Sequence, residues 1–322
     1  MQIKDLRLTS PVIAAPLAGI SNAAFRSLLY PLGAGLVVSE MISDKALYFN
    51  NSKTIDMTRT WPNEYPLSMQ LFGHDIGSMV YGAKYLAEHT PCQCVDINMG
   101  CPVKKVLAAK AGSYLMQDVD YAYHLVKAIV EAIDKPVTVK MRLGYDAQHI
   151  NVMEMALAME KAGVSMVAIH GRTRSQLYSG HANWEPIYKV KQALAIPVVG
   201  NGDITTVEDA LDKLNHVDGI MIGRGLLSNP WLIQQINAAL AGQAIPVVTP
   251  MMKHGFLLEL ATRLITIHTE VPAIKEMRTY TAAMVSGLPN NHAIKQQVNQ
   301  IETFDNYKGA LDSYFASLIE QY

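Results

Sequence analysis

Eight short apolar runs, rich in valine and isoleucine, recur along the chain with helix-patterned segments between them. The runs are continuous rather than alternating, which is typical of parallel strands that are buried on both faces. In order they are PVIAAP (11–16), LVVSE (36–40), PLSMQLF (66–72), CVDIN (94–98), PVTVKM (136–141), SMVAIH (165–170), PVVGNG (197–202) and GIMIG (219–223). The helical segments include 75–89, 120–133, 152–163 and 206–214. This alternation predicts a (β/α)8 TIM barrel. A doubly wound sheet is less suitable, because APLAG follows the first strand where a G-x-G-x-x-G phosphate turn would be expected.

The pattern changes after the eighth run. GQAIPVVTP (242–250) indicates a linker, and no strand-like run follows it. Four helix-like stretches come next, near 251–269, 272–286, 291–301 and 304–321. The sequence therefore predicts a barrel domain over 1–243 and a small helical bundle domain over 244–322. Within the barrel, the long connection 41–65 is predicted to be a functional cover.

Composition limits the environment and the partners of the chain. With 322 residues and a formal net charge of −1, the protein has no global basic signal, so contact with nucleic acid must come from local clustering. No stretch approaches the roughly 20 apolar residues of a membrane span. The N-terminal MQIKDLRLTS has no apolar run after its charges, so a signal peptide is not expected. We expect a cytoplasmic protein.

The three cysteines, Cys92, Cys94 and Cys101, lie close together in the sequence. An odd number at this spacing is a poor disulfide framework and fits a reducing compartment. A C-x-C-x6-C pattern with no convincing fourth ligand nearby does not predict a metal site. Cys92 and Cys94 are interpreted as packing thiols.

Polar and charged side chains stand at the carboxyl ends of the predicted strands, where TIM barrels place their active sites. The loops after the seventh and eighth strands, GNGDITT and GRGLLSNP, are glycine-rich, as a phosphate site in these barrels requires, and Arg224 adds a cationic fork. Lys140 and Gln70 end the fifth and third strands, where they would meet the ring of a cofactor. A cation beside the N1–C2=O edge of a flavin stabilises its reduced form. The sequence therefore predicts a flavin mononucleotide (FMN) site.

Cys101 lies in DINMGCPVKKV, where Gly100 and Pro102 end the fourth strand. The thiol thus lies beyond the strand, on the face of the predicted flavin. An unperturbed thiol has a pKa near 8.5, so it is protonated at neutral pH and can donate a proton. A redox disulfide would need a partner, and the nearest cysteines lie at the far end of the strand. We therefore interpret Cys101 as a general acid.

Cationic residues also follow the strand ends, although the chain as a whole is neutral. Some would serve the cofactor phosphate, and the remainder suggest a polyanionic substrate. For the lysines within 104–110, ordinary solvated surface charge remains an alternative. The set comprises Lys104, Lys105, Lys110, Lys140, Arg142, Arg172, Arg174 and Arg224.

Several stretches give the chain a resemblance to a known family: IAAPLAGISNAAFR, MQLFGHD, DINMGCPVKKV, VTVKMRLG, IHGRTRSQLYSGHANW and IMIGRGLLSNPW. Over essentially its whole length the chain resembles the bacterial tRNA-dihydrouridine synthases of the B type. The resemblance implies an FMN-containing barrel followed by a helical domain that helps to hold tRNA. It also implies that NADPH reduces the flavin, that hydride passes to C6 of a tRNA uridine, and that Cys101 delivers the proton to C5.

The same resemblance assigns roles to individual positions. It implies that Asn98 contacts the target uracil and, with the cationic clustering, that Arg172 and Arg278 contact the RNA. The helical stretch EMRTYTAAMVSGLPN keeps Arg278 but departs from the Arg-Lys-His…Trp-Tyr pattern of the family, so its contacts with tRNA are expected to differ. We expect a monomer. The implied cofactor contacts are Pro16, Leu17, Ala18, Gln70, Lys140, His170, Asn201, Gly202, Asp203, Gly223 and Arg224.

Two other interpretations are open at this point. A dihydroorotate-dehydrogenase-like flavin enzyme would act on a small pyrimidine and would not need the helical appendage or the HGRTR stretch. A non-catalytic tRNA-binding factor could keep the barrel, but the presence of Cys101, Lys140 and the phosphate loops argues against it. The sequence does not predict which uridine positions are modified.

Overall fold

The computed structural model describes residues 1–62 and 64–319, and at its centre eight parallel strands close into a barrel. The strands follow one another around the barrel in sequence order, and the eighth pairs with the first. All eight predicted strands are present, so the predicted TIM barrel is confirmed. They are β1 (Val12–Ala14), β2 (Leu36–Ser43), β3 (Leu67–Phe72), β4 (Cys94–Met99), β5 (Val137–Arg142), β6 (Met166–His170), β7 (Val198–Asn201) and β8 (Gly219–Ile222).

Helices and short segments connect the strands on the outside of the barrel. They are α1 (Ala23–Leu29), α2 (Asp44–Tyr48), α3 (Ser52–Asp56), α4 (Ile76–His89), α5 (Lys104–Ala108), a 3-10 helix (Gly112–Gln117), α6 (Val119–Ala132), α7 (Val152–Lys161), α8 (Glu185–Ala193) and α9 (Val207–Leu214). Two hairpins add Gln2–Ile3 with Leu6–Arg7, and Gly144–Asp146 with His149–Ile150.

Local sequence explains where the longer outer helices begin. Asp75 and Asp118 cap α4 and α6 by accepting hydrogen bonds from backbone N–H groups of the first turn. Thr206 and Asp209 form a reciprocal capping box at the start of α9. The buried side chains of α6 recur at helical spacing and hold it against the barrel. They are Ala122, Leu125, Val126 and Ile129.

The barrel interior is apolar at one end and polar at the other. Inward positions near the amino ends of the strands form one buried cluster, which Ile3 and Leu8 of the N-terminal segment join. Because side chains alternate between the two faces of a strand, the inward positions of β4 after Cys94 are Asp96 and Asn98. On β5 they are Thr138, Lys140 and Arg142. Thr138 pairs in register with Asp96 on β4, while Lys140 and Arg142 pair with Ala168 and His170 on β6. The polar end of the interior therefore coincides with the carboxyl ends of the strands.

The predicted connection 41–65 begins with the last residues of β2, which continues to Ser43 with a register shift between Val38 and Met41. Helices α2 and α3 follow it. A buried ion pair ties the end of the connection to α1, with Arg26 Nε 3.0 Å and Nη2 3.1 Å from the Glu64 carboxylate oxygens. Arg26 Nη1 also donates to the carbonyl of Ser21 at 2.7 Å.

The chain divides into two compact units, Met1–Gly223 and a second unit that starts at Arg224. The second unit contains α10 (Gly225–Ser228), α11 (Leu232–Leu240), α12 (Pro250–Ile267), α13 (Glu270–Met284), α14 (Asn291–Val298) and α15 (Phe304–Ile319). The last four correspond to the four predicted helices, and the predicted helical C-terminal region is confirmed. Segment 242–249 has neither helix nor strand, and the domain boundary after residue 243 stays a prediction. Residues 320–322 of the predicted bundle lie outside the described residues.

The second unit has its own core, built from apolar faces of its helices. Leu257, Leu260 and Leu264 of α12 are fully buried. A buried hydrogen bond of 2.7 Å joins Thr281 Oγ1 of α13 to the Tyr307 hydroxyl of α15. Among the helices of the described residues, none is long and apolar enough to cross a membrane.

Replacing Arg26 tests the ion pair that closes the connection 41–65. Arg26→Ala leaves the buried Glu64 carboxylate without its partner, so the free energy of unfolding should fall by about 3–5 kcal/mol. The exposed Arg59–Asp56 pair nearby provides the control, and Arg59→Ala should leave stability nearly unchanged. Urea denaturation measures both variants. Equal stabilities of the two variants would contradict this role for Arg26.

Candidate active site

A chain of hydrogen bonds inside the barrel orients the polar side chains of β3 and β4. The buried Asp96 carboxylate accepts from Gln70 Nε2 at 2.6 Å and from Thr138 Oγ1 at 2.5 Å. Because the Gln70 amide thus turns its nitrogen to Asp96, its oxygen accepts from Asn98 Nδ2 at 2.7 Å. Asn98 Oδ1 is then directed toward the residues that follow β4.

The Gly100–Cys101–Pro102 turn is held from several sides. Asn98 Oδ1 accepts from the backbone N–H groups of Gly100 at 3.1 Å and Cys101 at 2.9 Å. Arg142 Nε donates to the carbonyl of Gly100 at 2.8 Å, and Ser113 donates to the carbonyl of Cys101 through its N–H at 3.1 Å and its hydroxyl at 2.9 Å. The turn is therefore rigid where the thiol is attached.

Gly112 allows the chain to return closely behind the turn. Its φ of +64° favours glycine, and a Cβ there would lie 2.9 Å from the carbonyl oxygen and 3.1 Å from the Cβ of Cys101. The 3-10 helix that begins at Gly112 therefore packs directly against Cys101.

Cys101 is half-buried, and burial raises the pKa of its thiol above the ordinary value. The N–H of Val103 and the charges of Arg142 and Lys140 oppose that rise in pKa but do not reverse it. The group is therefore a thiol at neutral pH, as a proton donor must be. Cys92 and Cys94 are free and fully buried, and burial raises the pKa of Cys94 to about 12.

Lys140 places a cation beside this turn. It pairs in register with Asn98 on β4, and burial, followed by the charge of Arg142, lowers the pKa of its ammonium to about 8. Within residues 1–62 and 64–319, Lys140 Nζ makes no hydrogen bond or salt bridge. An ammonium with these properties is available to an electron-rich group of a ligand.

The loops after β6 and β7 are locked together by Arg172. This buried residue, 2% exposed, donates to the carbonyls of Ser179 at 3.1 Å and Gly180 at 2.6 Å, and its Nη2 lies 2.8 Å from Asp203 Oδ2. His170 Nε2 lies 3.4 Å from Arg172 Nη1. Arg172 therefore positions both loops, and its predicted contact with substrate stays a prediction.

The predicted phosphate loop after β7 is crowded around its glycine. Gly202 has a φ of +129°, and a Cβ there would lie 2.6 Å from Ala182 Cβ and 3.2 Å from His170 Cδ2. Asn201 Nδ2 donates to the carbonyl of Met221 at 2.7 Å, which joins the ends of β7 and β8. The structure thus brings His170, Asn201, Gly202 and Asp203 together.

The loop after β1 lies beside the end of β8. A Cβ on Gly223 would be 3.5 Å from Leu17 Cδ2. Leu17 N donates to the Ser21 hydroxyl at 3.0 Å, and the N–H of Gly19 donates to the Glu40 carboxylate. The backbone of the segment Pro16–Ala18 is therefore fixed at the opening of the barrel at the carboxyl ends of its strands, which we call the mouth. Pro16 and Leu17 are half-buried there, and Ala18 is exposed.

Two predicted residues belong to the second unit. Arg224 is exposed and immediately precedes α10. Arg278, on α13, is half-buried and donates through Nη2 to the carbonyl of Ile301 at 3.4 Å. Its Nε is buried without a hydrogen bond to any described residue. The assignments of both residues stay predictions.

Sequence reasoning missed the residues that orient the site. Asp96, Thr138 and Arg142 were not assigned these roles, although each follows the inward alternation that also contains Asn98 and Lys140. That alternation was a usable signal. The sequence gives no comparable signal for Gly112 and Ser113, because they contact Cys101 through the loop after α5, which folds back against the turn.

The residues of the mouth fit a flavin. Gln70 and Asn98 provide amides with fixed orientation, Lys140 provides an unpaired cation, and Gly202 and Gly223 allow close approach of the backbone. This mouth, together with a protonated thiol on a rigid turn, has the groups that a flavin-dependent oxidoreductase of the TIM-barrel type would need. Within the part of the chain that the structure describes, no group of three or more His, Cys, Asp and Glu residues could hold a metal ion.

Comparison with known proteins identifies the family. The profile described as dihydrouridine synthase (Dus) matches residues 12–320. A Rhodobacter capsulatus protein named "Probable tRNA-dihydrouridine synthase" is 44% identical over 249 residues, 76% of each chain. A Rickettsia bellii protein of the same name is 36% identical over 100% of this chain and 99% of its own. The tRNA-dihydrouridine synthase B of Shewanella oneidensis is 34% identical over 99% of this chain and 100% of its own. The chain belongs to the dihydrouridine synthase family.

Alkylation of Cys101 tests the protonation of its thiol. Since the thiolate is the nucleophile and the pKa is raised, iodoacetamide should modify Cys101 slowly at pH 7, with a rate that is still rising at pH about 9. Mass spectrometry of the peptide containing Cys101 measures the rate, and the unfolded protein serves as the control. A rate that reaches its plateau below pH 8 would show that the thiol is activated instead.

Proposed function

We propose that this protein is a tRNA-dihydrouridine synthase that reduces the C5=C6 bond of tRNA uridines to give 5,6-dihydrouridine. The observation that carries the proposal is the half-buried, protonated thiol of Cys101 on a rigid turn beside the ammonium of Lys140, which no described residue pairs. Membership of the dihydrouridine synthase family and the names of the relatives support the substrate and the reaction.

FMN is the proposed cofactor, with NADPH as its reductant. Lys140 and Gln70 would hold the ring, while Asn201, Gly202, Asp203, Gly223 and Arg224 would hold the phosphate. Pro16, Leu17, Ala18 and His170 would complete the contacts. When bound and reduced, FMN supplies the hydride that adds to C6 of the uracil.

The residues of the chain supply the proton and the orientation. Cys101 holds its Sγ proton for transfer to C5, and its raised pKa keeps that proton in place between turnovers. After transfer, the charges of Lys140 and Arg142 stabilise the thiolate until solvent returns a proton. One hydrogen of Asn98 Nδ2 is donated to Gln70. Among the described residues the other has just the weak acceptor Met41 Sδ at 3.9 Å, so it is available to a uracil carbonyl.

The proposed substrate places further demands on the protein. A uridine held within folded tRNA must be extruded to reach the mouth of the barrel. Arg278 is proposed to contribute to holding the RNA directly, and Arg172 is proposed to contribute by positioning the loops after β6 and β7. We infer a cytoplasmic protein because its substrate would be there, and we expect it to act as a monomer.

The experiment that tests the function uses the FMN-loaded protein, NADPH and tRNA that lacks dihydrouridine. Mass spectrometry of the digested nucleosides should detect uridine that has gained two hydrogens, and fragment mapping should place it at defined positions. In the same assay Cys101→Ala should lose about 10²–10⁴-fold in turnover while it keeps FMN and tRNA affinity, because only the proton donor is removed. Cys92→Ala is the control, since that thiol is buried away from the mouth. Full activity of Cys101→Ala would exclude the general-acid role.

The pKa of Lys140 predicts how FMN affinity depends on pH. Because the ammonium of the cofactor-free protein loses its charge near pH 8, FMN binding should weaken roughly three- to tenfold between pH 7 and pH 9. Lys140→Arg keeps the charge and should remove this dependence, whereas Lys140→Met should bind weakly at both pH values. Titration followed by quenching of FMN fluorescence measures the affinities. The same pH dependence in Lys140→Met would assign it to another group.

A further inference from the structure

A second cavity lies on the barrel unit, outside the mouth described above. It has a volume of about 370 Å³ and is formed by the loops that follow β3 and β4, at the starts of α4 and α6. This is toward the lower end of the range for ligand pockets, about 300–1,000 Å³. We call it the rim pocket, and its polar and aromatic lining residues are His74, Lys110, Tyr114, Gln117, Asp118 and Tyr121.

Three rings form the walls of the rim pocket. His74 stacks on Tyr121 with centroids 4.6 Å apart and meets Tyr114 edge-on at 6.1 Å. The Tyr121 hydroxyl donates to the His74 carbonyl at 2.6 Å, which fixes the stacked pair. His74 Nδ1 is buried and has no hydrogen bond to any described residue, and burial followed by the charge of Lys110 lowers the pKa of the imidazole. The rim pocket is therefore walled by aromatic rings in a fixed arrangement.

Two lysines stand beside the rim pocket, together with the carboxylates of Asp118, which lines it, and Asp75, whose charge acts on His74 and Tyr121. Lys110 lines it directly, and Lys45 of α2 lies close enough that its charge also lowers the pKa of His74. Across residues 1–62 and 64–319, neither lysine forms a salt bridge, whereas Lys127, Lys189 and Lys213 on outer helices do. Unpaired lysines beside a cavity are suited to a phosphate.

Lys45 is held in this position by its buried neighbour. The carboxylate of Asp44 accepts from the Ser78 hydroxyl at 2.6 Å and from the Lys45 N–H at 2.5 Å, which ties the start of α2 to the start of α4. A Cβ on Gly73 would lie 2.1 Å from this carboxylate, so the loop after β3 needs glycine there. The backbone of Lys45 is thus fixed beside the rim pocket.

Exposed aromatic residues continue along the same two helices. Tyr48 and Phe49, at the end of α2, are 51% and 74% exposed, and Tyr81 of α4 is 37% exposed. Tyr48 meets the other two rings edge-on, at 5.3 Å and 5.2 Å between centroids. Cations interleaved with exposed aromatic rings form the kind of surface that binds unpaired nucleotides.

We propose that the rim pocket binds an unpaired nucleotide of the RNA that flanks the reacting uridine, with its base against the rings and its phosphate on Lys45 and Lys110. This inference rests on the proposed function and adds a contact outside the mouth of the barrel. In this arrangement Asp118 and Gln117 would contact the base rather than the phosphate. The Asp118 carboxylate already accepts from the Tyr121 N–H at 2.9 Å, and its remaining lone pairs can accept from a base amino group.

The test uses the full-length, FMN-loaded protein and a tRNA transcript that lacks dihydrouridine. Fluorescence anisotropy gives the Kd for tRNA over a series of salt concentrations. The double variant Lys45→Glu/Lys110→Glu should raise the Kd at least tenfold and reduce the slope of log Kd against log salt by roughly 0.7, the contribution of the one single-strand phosphate placed on these lysines. Lys127→Glu/Lys189→Glu, on α6 and α8 and outside the pocket lining, is the control with the same change in charge and should leave both values unchanged.

A second pair of variants tests the rings. Tyr114→Ala should raise the Kd for tRNA about fivefold or more, while Tyr114→Phe, which keeps the ring, should bind like the unmodified protein. If Tyr114→Ala fails to fold, the lysine variants, which change only exposed side chains, decide the question.

Two results would overturn the inference. One is a Kd and salt slope of Lys45→Glu/Lys110→Glu equal to those of the control variant Lys127→Glu/Lys189→Glu. The other is an unchanged Kd for tRNA with a raised NADPH concentration for half-maximal flavin reduction, which would assign the pocket to the dinucleotide. The binding readout needs no turnover, so failure of this inference can be distinguished from failure of the proposed function. A protein that binds tRNA without forming dihydrouridine contradicts the function alone, and an active protein with unaffected variants contradicts the rim pocket alone.

Discussion

The geometry of the site depends on one buried carboxylate. Asp96 is buried away from water, so its two carboxylate oxygens accept hydrogen bonds from Gln70 and Thr138. Because the Gln70 nitrogen is used in this way, the Gln70 amide oxygen faces Asn98. Asn98 in turn can offer only its oxygen to the Gly100–Cys101 turn. The Asn98 amide, which would rotate freely in water, is thus held in one orientation by contacts that begin at Asp96. That orientation fixes the turn that carries the Cys101 thiol.

Burial then sets the protonation states of both candidate functional groups. Removing water disfavours the thiolate of Cys101 and the ammonium of Lys140, so the pKa of the first rises and that of the second falls to about 8. The mutual attraction of the two charged forms opposes both shifts, whereas the charge of Arg142 opposes the rise in the Cys101 pKa and adds to the fall in the Lys140 pKa. Burial therefore keeps the Cys101 thiol protonated and also brings the pKa of Lys140 close to neutral pH, where a bound ligand can change its charge.

The sequence predicts best what strand periodicity governs. All eight strands, the four C-terminal helices and the carboxyl-end positions of Gln70, Asn98, Lys140 and His170 follow from apolar runs and their ends. Asp96 and Thr138 were predictable from the same alternation and were overlooked. The hydrogen bonds from Ser113 to the Cys101 carbonyl could not be predicted. They depend on the path of the loop that brings the 3-10 helix back to the turn, and no periodic pattern in the sequence specifies that path.

Arg172 shows why a charge pattern alone is a weak guide to substrate contact. In the sequence it is one of several cations after strand ends, yet its guanidinium is buried and hydrogen-bonded to two carbonyls and Asp203. Lys45, which the sequence did not single out, is exposed and unpaired among the described residues beside an aromatic cavity. The difference is set by packing, since a cation with protein acceptors on every side has little charge left for RNA, whereas one anchored only through its backbone keeps its ammonium free.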